Sequence, residues 1–539
     1  MAKSKTKGEE SGFRPRAAMK IVRRILKGIG IGLGVIVLGI AIYIFVGAQR
    51  SKIPDNINMS SGSMDGMDMT GMVMSDMDHS ANSTPITALD TPANVDAPVK
   101  AFTLTAEEKI IDLGDGMPVD AYTYNGTIPG PEIRVQQGDL VQVTLVNKLP
   151  VSTTIHWHGI DLPNAEDGVA GVTQDAVKPG QSYTYRFVAN QVGTYWYHPH
   201  QETSIELPKG LFGAVVVEPK DPPIHYDRDY TVMLHEWGAP SHTTLNGILT
   251  CHETCPETLT LNNRVDRVTF DAKPGELVRL RIANSGDDTH SPELVGAPFK
   301  VIALDGHDLN GPTDLNGAAV PIPAAGRADI SFVMPDGPVA LVDGDSRAAP
   351  AGQHPMAVFG AASGRFAYAD HAPQFDFTSY GAPAADPITL DSKFDVQAGL
   401  LMSSQPGFFN GRFTLDFPIN GKTYPNIPSI KVQEGDLVKI HLAIGQGIPF
   451  PHVMHIHGHT FTVLAHNGQP LTGSPVHLDS VNINPGETWD VAFKADNPGL
   501  WMLHCHLVEH DANGMDMMIE YPGISTPYTI GTASGNNPF

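Results

Sequence analysis

The stretch Trp501–Met515 contains the residue types best suited to redox metal chemistry. It reads Trp-Met-Leu-His504-Cys505-His506-Leu-Val-Glu-His510-Asp-Ala-Asn-Gly-Met515. A thiolate, an imidazole and a thioether are ligands of a blue-copper site, which needs one more histidine. If Cys505 lies on a β-strand, its two histidine neighbours face one side and the thiolate faces the other. One strand can then serve two metal centres, although His-Cys-His alone is equally compatible with a buried cysteine between surface histidines.

Three further histidine clusters have the same H-x-H spacing. They are His156/His158, His198/His200 and His455/His457, the last preceded by His452. Together with the first stretch they contain ten of the 23 histidines in the chain. On a strand this spacing puts both imidazoles on one face. Four such pairs in apolar or aromatic surroundings are improbable by chance, so we predict a metal cluster.

An internal repeat predicts the domain organisation. The segment 131–147 recurs as 268–284 and as 428–444, and each copy has the pattern of a strand, a glycine turn and an alternating strand, which predicts a hairpin. A chain of 539 residues is too long for one core, and its 54 glycines and 44 prolines suit many short strands. We therefore predict three antiparallel β-sandwich domains, at 98–221, 222–370 and 371–539.

A second repeat indicates which domains hold metal. The segment 179–200 is similar to 485–506 at a constant offset of 306 residues, so that Pro199 takes the position of Cys505. The corresponding middle segment, 326–344, contains no histidine. We predict that the outer domains supply eight imidazoles and that the middle domain spaces them. Imidazoles suit several metals, whereas the Cys/His/Met group favours copper.

The N-terminal residues predict export from the cytoplasm. Residues 1–27 are basic, and the uncharged run 28–49 can cross a hydrocarbon core of about 30 Å at about 1.5 Å per residue. The positive flank then places the N-terminus in the cytoplasm and the body outside. The competing interpretation is a cleaved export signal, because Arg23-Arg24 partly resembles a twin-arginine signal. Both interpretations export the body, either membrane-anchored or soluble.

Residues 50–97 form a low-complexity segment with few β-branched or aromatic residues, so we predict a disordered linker. Its thioethers could capture Cu(I), or the segment is a plain spacer. The seven methionines are Met59, Met64, Met67, Met69, Met72, Met74 and Met77.

Elsewhere, Cys251 and Cys255 form a disulfide, a soft-metal site or two free thiols.

The charge distribution limits the possible partners. The net charge is −23, and residues 1–50 carry ten Lys/Arg against two Glu, which leaves −31 on the remainder. Such an acidic body argues against nucleic acid as a partner and is compatible with cationic substrates.

Over residues 98–522 the four motifs resemble those of the three-domain multicopper oxidases, a family of laccases, cuprous oxidases and ferroxidases. The resemblance implies three cupredoxin-like Greek-key domains, an all-β fold, and four copper ions. It implies a type 1 copper on His452, Cys505, His510 and axial Met515. It implies a type 2 copper on His156 and His455. It implies a type 3 pair on His158, His198, His200, His457, His504 and His506.

The resemblance also implies a mechanism. A reductant gives up single electrons near an exposed type 1 imidazole, expected to be His510, Cys505 relays them, and dioxygen becomes two waters at the cluster. Asp167, eleven residues after His156, resembles the family's proton-donating acid, and Asp511 is a second candidate. The competing interpretations are a turn at Asp167 and a surface position for Asp511.

The substrate is left open between Cu(I), Fe(II) and phenols. The linker and the acidic body favour metal ions and a role in copper homeostasis. Residues 448–451 supply neither the Met nor the Asp that cuprous oxidases place before the first type 1 histidine, and Met517 and Met518 are substitutes or core residues. The alternatives are a laccase of broad phenolic range and a copper-binding or electron-transfer protein without oxidase turnover.

Overall fold

The computed structural model describes the chain over seven ranges, and they consist mostly of β-strands, as predicted. Cys251, Cys255 and the linker methionines from Met64 to Met77 lie outside these ranges, so their predicted states stay predictions. The described residues are 15–60, 83–91, 96–114, 116–238, 257–343, 356–360 and 372–539.

The N-terminal part contains one long helix, α1, and then two four-stranded sheets, with strand orders β3-β2-β5-β7 and β4-β9-β8-β6. Alternate residues of the strands are buried between the sheets, for example Val141, Val143 and Leu145. The elements are α1 (Pro15–Arg50), β1 (Thr84–Pro85), β2 (Val99–Asp112), β3 (Pro118–Tyr124), β4 (Gly130–Gln136), β5 (Leu140–Asn147), β6 (His156–His158), β7 (Ser182–Val188), β8 (Gly193–His198), α2 (Thr203–Glu206) and β9 (Gly213–Glu218).

The next part forms a six-stranded sheet, β11-β10-β13-β17-β15-β16, and a four-stranded sheet, β12-β19-β18-β14. Its strands are β10 (Arg228–Gly238), β11 (Glu257–Leu261), β12 (Val268–Phe270), β13 (Leu277–Asn284), β14 (Pro292–Val295), β15 (Lys300–Leu304), β16 (His307–Asp308), β17 (Arg327–Val333), β18 (Val339–Asp343) and β19 (Ala357–Phe359).

The last part forms a six-stranded sheet, β20-β24-β30-β26-β27 with β28 beside β26, a five-stranded sheet, β23-β32-β31-β25-β29, and the hairpin β21-β22. Its elements are β20 (Val396–Met402), β21 (Gln405–Phe409), β22 (Arg412–Asp416), β23 (Ile430–Lys431), β24 (Leu437–Ile444), β25 (His452–Ile456), β26 (Phe461–His466), β27 (Gln469–Pro470), β28 (His477–Leu478), β29 (Ser480–Ile483), β30 (Thr488–Lys494), β31 (Leu500–Cys505), α3 (Val508–Ala512), β32 (Asp516–Glu520) and β33 (Ile524–Ser525).

One pairing pattern recurs in all three parts. A strand pairs in parallel with the second strand of the sequence repeat, which pairs antiparallel with a later strand. The three sets are β2-β5-β7, β10-β13-β17 and β20-β24-β30. The recurrence accounts for the sequence repeat, and each pair of sheets lies inside one predicted domain range. The two strands of each repeat copy lie in different sheets, and the sheets contain parallel pairs, so the predicted hairpins and purely antiparallel sheets are wrong. The domain boundaries themselves remain predictions.

The predicted disorder of the linker does not extend to its two ends. Residues 51–60 and 83–91 pack on the body, with the Ile57, Met59 and Ile86 side chains buried. Strand β1 pairs with β33, and Ile57 bridges Ile530. Three apolar side chains and a few main-chain hydrogen bonds are therefore sufficient to order these ends, which the polar composition concealed.

Helix α1 is long and apolar enough over Leu26–Arg50 to cross a membrane, and that window has no buried residues. The end of the helix contacts the hairpin β21-β22. The Tyr43 and Phe408 rings lie edge to face with centroids 5.5 Å apart, and the Gly411 amide donates to Ser51 Oγ at 3.1 Å.

A buried ion-pair group of the middle part leads to the first prediction. His290 contacts the carboxylates of Glu236 and Asp343. Burial lowers the pKa of His290, but the two carboxylates outweigh it and raise the pKa to about 10. We expect His290→Leu to lower the apparent free energy of unfolding by about 3–5 kcal/mol at pH 6, because two buried carboxylates lose their cation.

The pH dependence of this stability checks the charge. Because the folded pKa is raised above the unfolded value of about 6.5, the stabilisation is complete below pH 6.5 and is lost as the pH rises through 10. Denaturant unfolding should show a smaller difference in the free energy of unfolding between wild type and variant at pH 10 than at pH 6. His441→Leu is the control, since its pair with Asp490 is exposed and should matter little. A gap that widens with pH would contradict the assignment.

Candidate metal centres

Three sulfur and nitrogen donors meet in the last part of the chain. His452 begins β25, Cys505 ends β31 and His510 lies on α3. Cys505 Sγ is 3.9 Å from His452 Nδ1 and 3.5 Å from His510 Nδ1, and the two imidazole nitrogens are 3.0 Å apart. The chain then folds back, since the Cys505 amide donates to the Met515 carbonyl at 3.0 Å. The side chains of His452, Cys505, His510 and Met515 are all buried, so the expectation that the His510 imidazole is exposed is wrong.

The electrostatics of this group favour a soft cation. Burial raises the pKa of the Cys505 thiol, with nearby carboxyl groups adding to the effect. Burial also lowers the pKa of His452 to about 4, so its imidazole is neutral. A buried thiolate therefore requires a cation beside it, and two imidazoles with a thiolate and a thioether suit copper.

The eight histidines of the H-x-H pairs converge on one buried site. The His156 ring stacks on His457 with centroids 3.9 Å apart, and the His158 ring stacks on His455 at 3.7 Å. Each stack joins the first part of the chain to the last. The other four rings, of His198, His200, His504 and His506, lie beside these stacks, with centroid distances between 4.9 and 6.0 Å.

Main-chain carbonyls orient the imidazoles. Four Nδ1 atoms donate to carbonyls at 2.8–2.9 Å, and each leaves a buried Nε2 with no hydrogen-bond partner among the described residues. The pairs are His156 with Asp167, His198 with Pro199, His200 with Pro538, and His455 with Asp479. A buried nitrogen without a partner is costly unless a ligand binds it. A hydrogen bond from the other ring nitrogen to a carbonyl is the usual second contact of a metal-binding histidine.

His158 has the opposite arrangement. Its Nε2 contacts Asp479 Oδ1 at 3.0 Å, and its Nδ1 is buried without a partner in the described part of the chain. Burial, followed by the neighbouring imidazoles His455 and His506, holds the pKa of His158 well below its usual range. Neutral rings with inward-facing lone pairs fit metal ions, so the donor set passes this test for copper.

The two predicted acids lie beside these imidazoles. Asp167 Oδ2 is 3.0 Å from His457 Nδ1, and burial raises the pKa of Asp167. Asp511 Oδ2 is 3.6 Å from His504 Nδ1, and burial, followed by the repulsion of Asp516, raises its pKa well above the usual range. Both are buried, so Asp511 is not a surface residue.

Sequence reasoning missed two residues that contact the histidine cluster, Asp479 and Pro538, and a third, Arg327, that binds Asp479. Asp479 Oδ1 contacts His158 Nε2, and Arg327 donates to both oxygens of that carboxylate. The Pro538 carbonyl accepts from His200 Nδ1 at 2.8 Å. No motif surrounds them, and a backbone acceptor such as Pro538 leaves no side-chain signal in a sequence.

Two aromatic rings cover the outer side of the Cys/His group. Phe417 stacks on His510 with ring centroids 3.8 Å apart, and the Phe450 ring centroid lies 6.3 Å from that of His510.

Met517 and Met518 are buried in β32, as expected of core strand residues.

Comparisons with known proteins agree with this picture. Two models of the multicopper oxidase family match residues 105–222 and 397–522. The multicopper oxidase MmcO of Mycobacterium tuberculosis is 30% identical over 78% of this chain and 86% of that protein. The copper resistance protein A homolog of Pseudomonas syringae is 40% identical over 29% of this chain and 26% of that protein. A crystal structure of a multi-copper oxidase from Pseudomonas thermotolerans covers 79% of this chain and all of that one, at 28% identity and a TM-score of 0.62.

Proposed function

The chain belongs to the multicopper oxidase family, and from this premise we propose that it oxidises a small reductant and delivers the electrons to dioxygen. The observation that carries the proposal is the joining of two donor groups by β31, where Cys505 faces His452 and His510 while His504 lies 3.2 Å from His457. When bound, copper supplies the one-electron steps that let four reductant oxidations convert dioxygen into two waters.

The donor atoms support a specific distribution of four copper ions. The type 1 ion takes His452, Cys505, His510 and Met515. The type 2 ion takes His156 and His455. Three donor nitrogens within 4.8 Å of one another favour one type 3 ion on His200, His457 and His504, and the remaining rings favour its partner on His158, His198 and His506.

The chain's own groups then position the reactants and supply protons. Phe417 and Phe450 cover His510 and exclude water from it. The reductant gives up its electrons in the region of His510. The Asp167 and Asp511 carboxyls are buried beside cluster imidazoles and are the proton donors on the chain that we assign to water formation.

We propose that the protein acts in copper homeostasis outside the cytoplasm. The similarity to copper resistance protein A, the methionine-rich linker and the acidic body support Cu(I) as the reductant. Helix α1 then anchors the body outside the cytoplasm. One observation favours a laccase instead: the cover of two phenylalanine rings over His510 suits a phenol better than a hydrated cation.

Oxygen consumption distinguishes these functions. The full-length protein should consume dioxygen with Cu(I) faster than with Fe(II) or a simple phenol. Deletion of residues 61–82 removes most linker methionines and spares the packed ends, so it should slow Cu(I) oxidation selectively. If phenol is the best substrate and the deletion changes nothing, the laccase alternative is correct. Copper binding without oxygen consumption would support the electron-transfer alternative.

A further inference from the structure

Arg327 is a fully buried arginine at the start of β17, in the part of the chain predicted to act only as a spacer. Its Nη1 donates to Asp479 Oδ1 at 2.7 Å, and its Nη2 donates to Asp479 Oδ2. The guanidinium also donates to the carbonyls of Thr194 at 3.1 Å and Ala325 at 3.2 Å. A bidentate arginine–carboxylate ion pair of this kind fixes both the position and the plane of the carboxylate.

The carboxylate held by Arg327 in turn contacts the histidine cluster. Asp479 Oδ1 contacts His158 Nε2 at 3.0 Å, and the Asp479 carbonyl accepts from His455 Nδ1 at 2.9 Å. His158 and His455 are the stacked pair that joins the first and last parts of the chain. Ser480 Oγ also lies 3.2 Å from both His158 Nε2 and His455 Nδ1. Asp479 and Ser480 together therefore leave Nδ1 of His158 and Nε2 of His455 without a partner among the described residues.

Two neighbours show that the chain is built around this pair. Gly159 has a φ of +83°, and a Cβ there would lie 2.4 Å from Asp479 Oδ2 and 2.5 Å from Arg327 Nη2. The glycine of His-Trp-His-Gly thus leaves the space that the pair occupies. Asp305 accepts from the Arg327 amide at 2.9 Å and from the Asp479 amide at 3.3 Å, which fixes both backbones.

We propose that Arg327 is a positioning residue for the histidine cluster, because it fixes the Asp479 carboxylate that contacts and orients His158. The inference rests on the proposed copper cluster and adds a role for the middle part of the chain, which supplies no predicted ligand. Assembly of the cluster then depends on docking of β17 against the two outer parts.

Arg281 offers a matched control in the same sheet. Its side chain is also buried, it pairs with Asp229 at 2.7 Å, and it donates to Thr194 Oγ1 at 2.8 Å. Its hydrogen bonds in the described structure go to none of the cluster histidines. Arg281→Gln therefore removes a comparable buried ion pair without touching the cluster.

The test is copper titration of the metal-free full-length protein with its Arg327→Gln, Arg327→Lys and Arg281→Gln variants. We expect Arg327→Gln to keep the blue colour and to bind the other copper ions about 10–100-fold more weakly. Arg327→Lys, which keeps the charge but loses the two-point contact, should fall between Arg327→Gln and wild type. Arg281→Gln should bind copper like wild type, even where its thermal unfolding temperature falls.

A structure of the metal-free variant gives a readout independent of copper. In Arg327→Gln the His158 ring should lose its contact with Asp479, and if this variant does not fold, Asp479→Asn replaces it at nearly constant shape. Wild-type copper affinity in Arg327→Gln, or equal loss in Arg281→Gln, would overturn the role of Arg327. A wild-type protein that binds only the blue copper would instead overturn the proposed cluster, while the His158 orientation would still test Arg327.

Discussion

Cys505→Ser is expected to leave the protein colourless and to reduce oxygen consumption with every reductant to background. A serine hydroxyl does not ionise at neutral pH in a buried site, so the variant lacks the thiolate that gives blue copper its colour. The same change removes the group that joins the two donor sets along β31. The measurements are the visible absorption spectrum, the copper content and the oxygen consumption of the purified variant.

The pattern of copper loss makes this result specific. The His504 and His506 rings lie in the eight-histidine cluster, whereas Cys505 lies beside His510, so the variant should lose one copper ion and keep the other three. Met502→Leu is the control, because Met502 is buried on the same strand and the exchange nearly conserves volume. It should retain colour and turnover. Oxygen consumption that survives in Cys505→Ser would place the electron entry elsewhere.

The parts of this architecture that could be predicted from sequence depend on short periods. A β-strand repeats every two residues, so H-x-H places two rings on one face wherever the strand lies. His156 and His158 both lie on β6, as that period requires. In the other three pairs the second histidine lies just beyond the end of its strand, since β8 ends at His198, β25 at Ile456 and β31 at Cys505. The threefold repeat predicted three similar sheet pairs for the same reason.

The parts that could not be predicted depend on contacts distant in sequence. Arg327 meets Asp479 across 152 residues, and His200 meets the Pro538 carbonyl across 338. The sequence does not distinguish a buried arginine from an exposed one. The partner of a buried arginine is determined only when the sheets pack against each other. The linker ends show the same limitation, since Ile57 and Met59 are too few to indicate a core in the sequence, and the bridge from Ile57 to Ile530 forms only in the folded chain.

Deletion of residues 536–539 is expected to weaken copper binding at the histidine cluster by about 10–100-fold and to abolish most turnover. The Pro538 carbonyl is the acceptor for His200 Nδ1 at 2.8 Å and for Thr203 Oγ1 at 2.8 Å. Asn537 adds two main-chain contacts, accepting from the Glu202 amide at 2.6 Å and donating to Gln201 Oε1 at 2.8 Å. Without them the His200 ring can rotate, and its Nε2 no longer faces the cluster.

A substitution at the last residue separates this effect from lost packing. Phe539 is buried and packs edge to face on Tyr424 with centroids 4.7 Å apart, so Phe539→Ala should lower the thermal unfolding temperature while keeping the Pro538 carbonyl in place. Copper titration and oxygen consumption should then remain close to wild type in Phe539→Ala and fall only in the deletion. If both variants lose copper together, the tail acts through general stability. If the deletion keeps wild-type copper affinity, His200 does not need its carbonyl partner, and the cluster must be held by the other seven imidazoles and their acceptors.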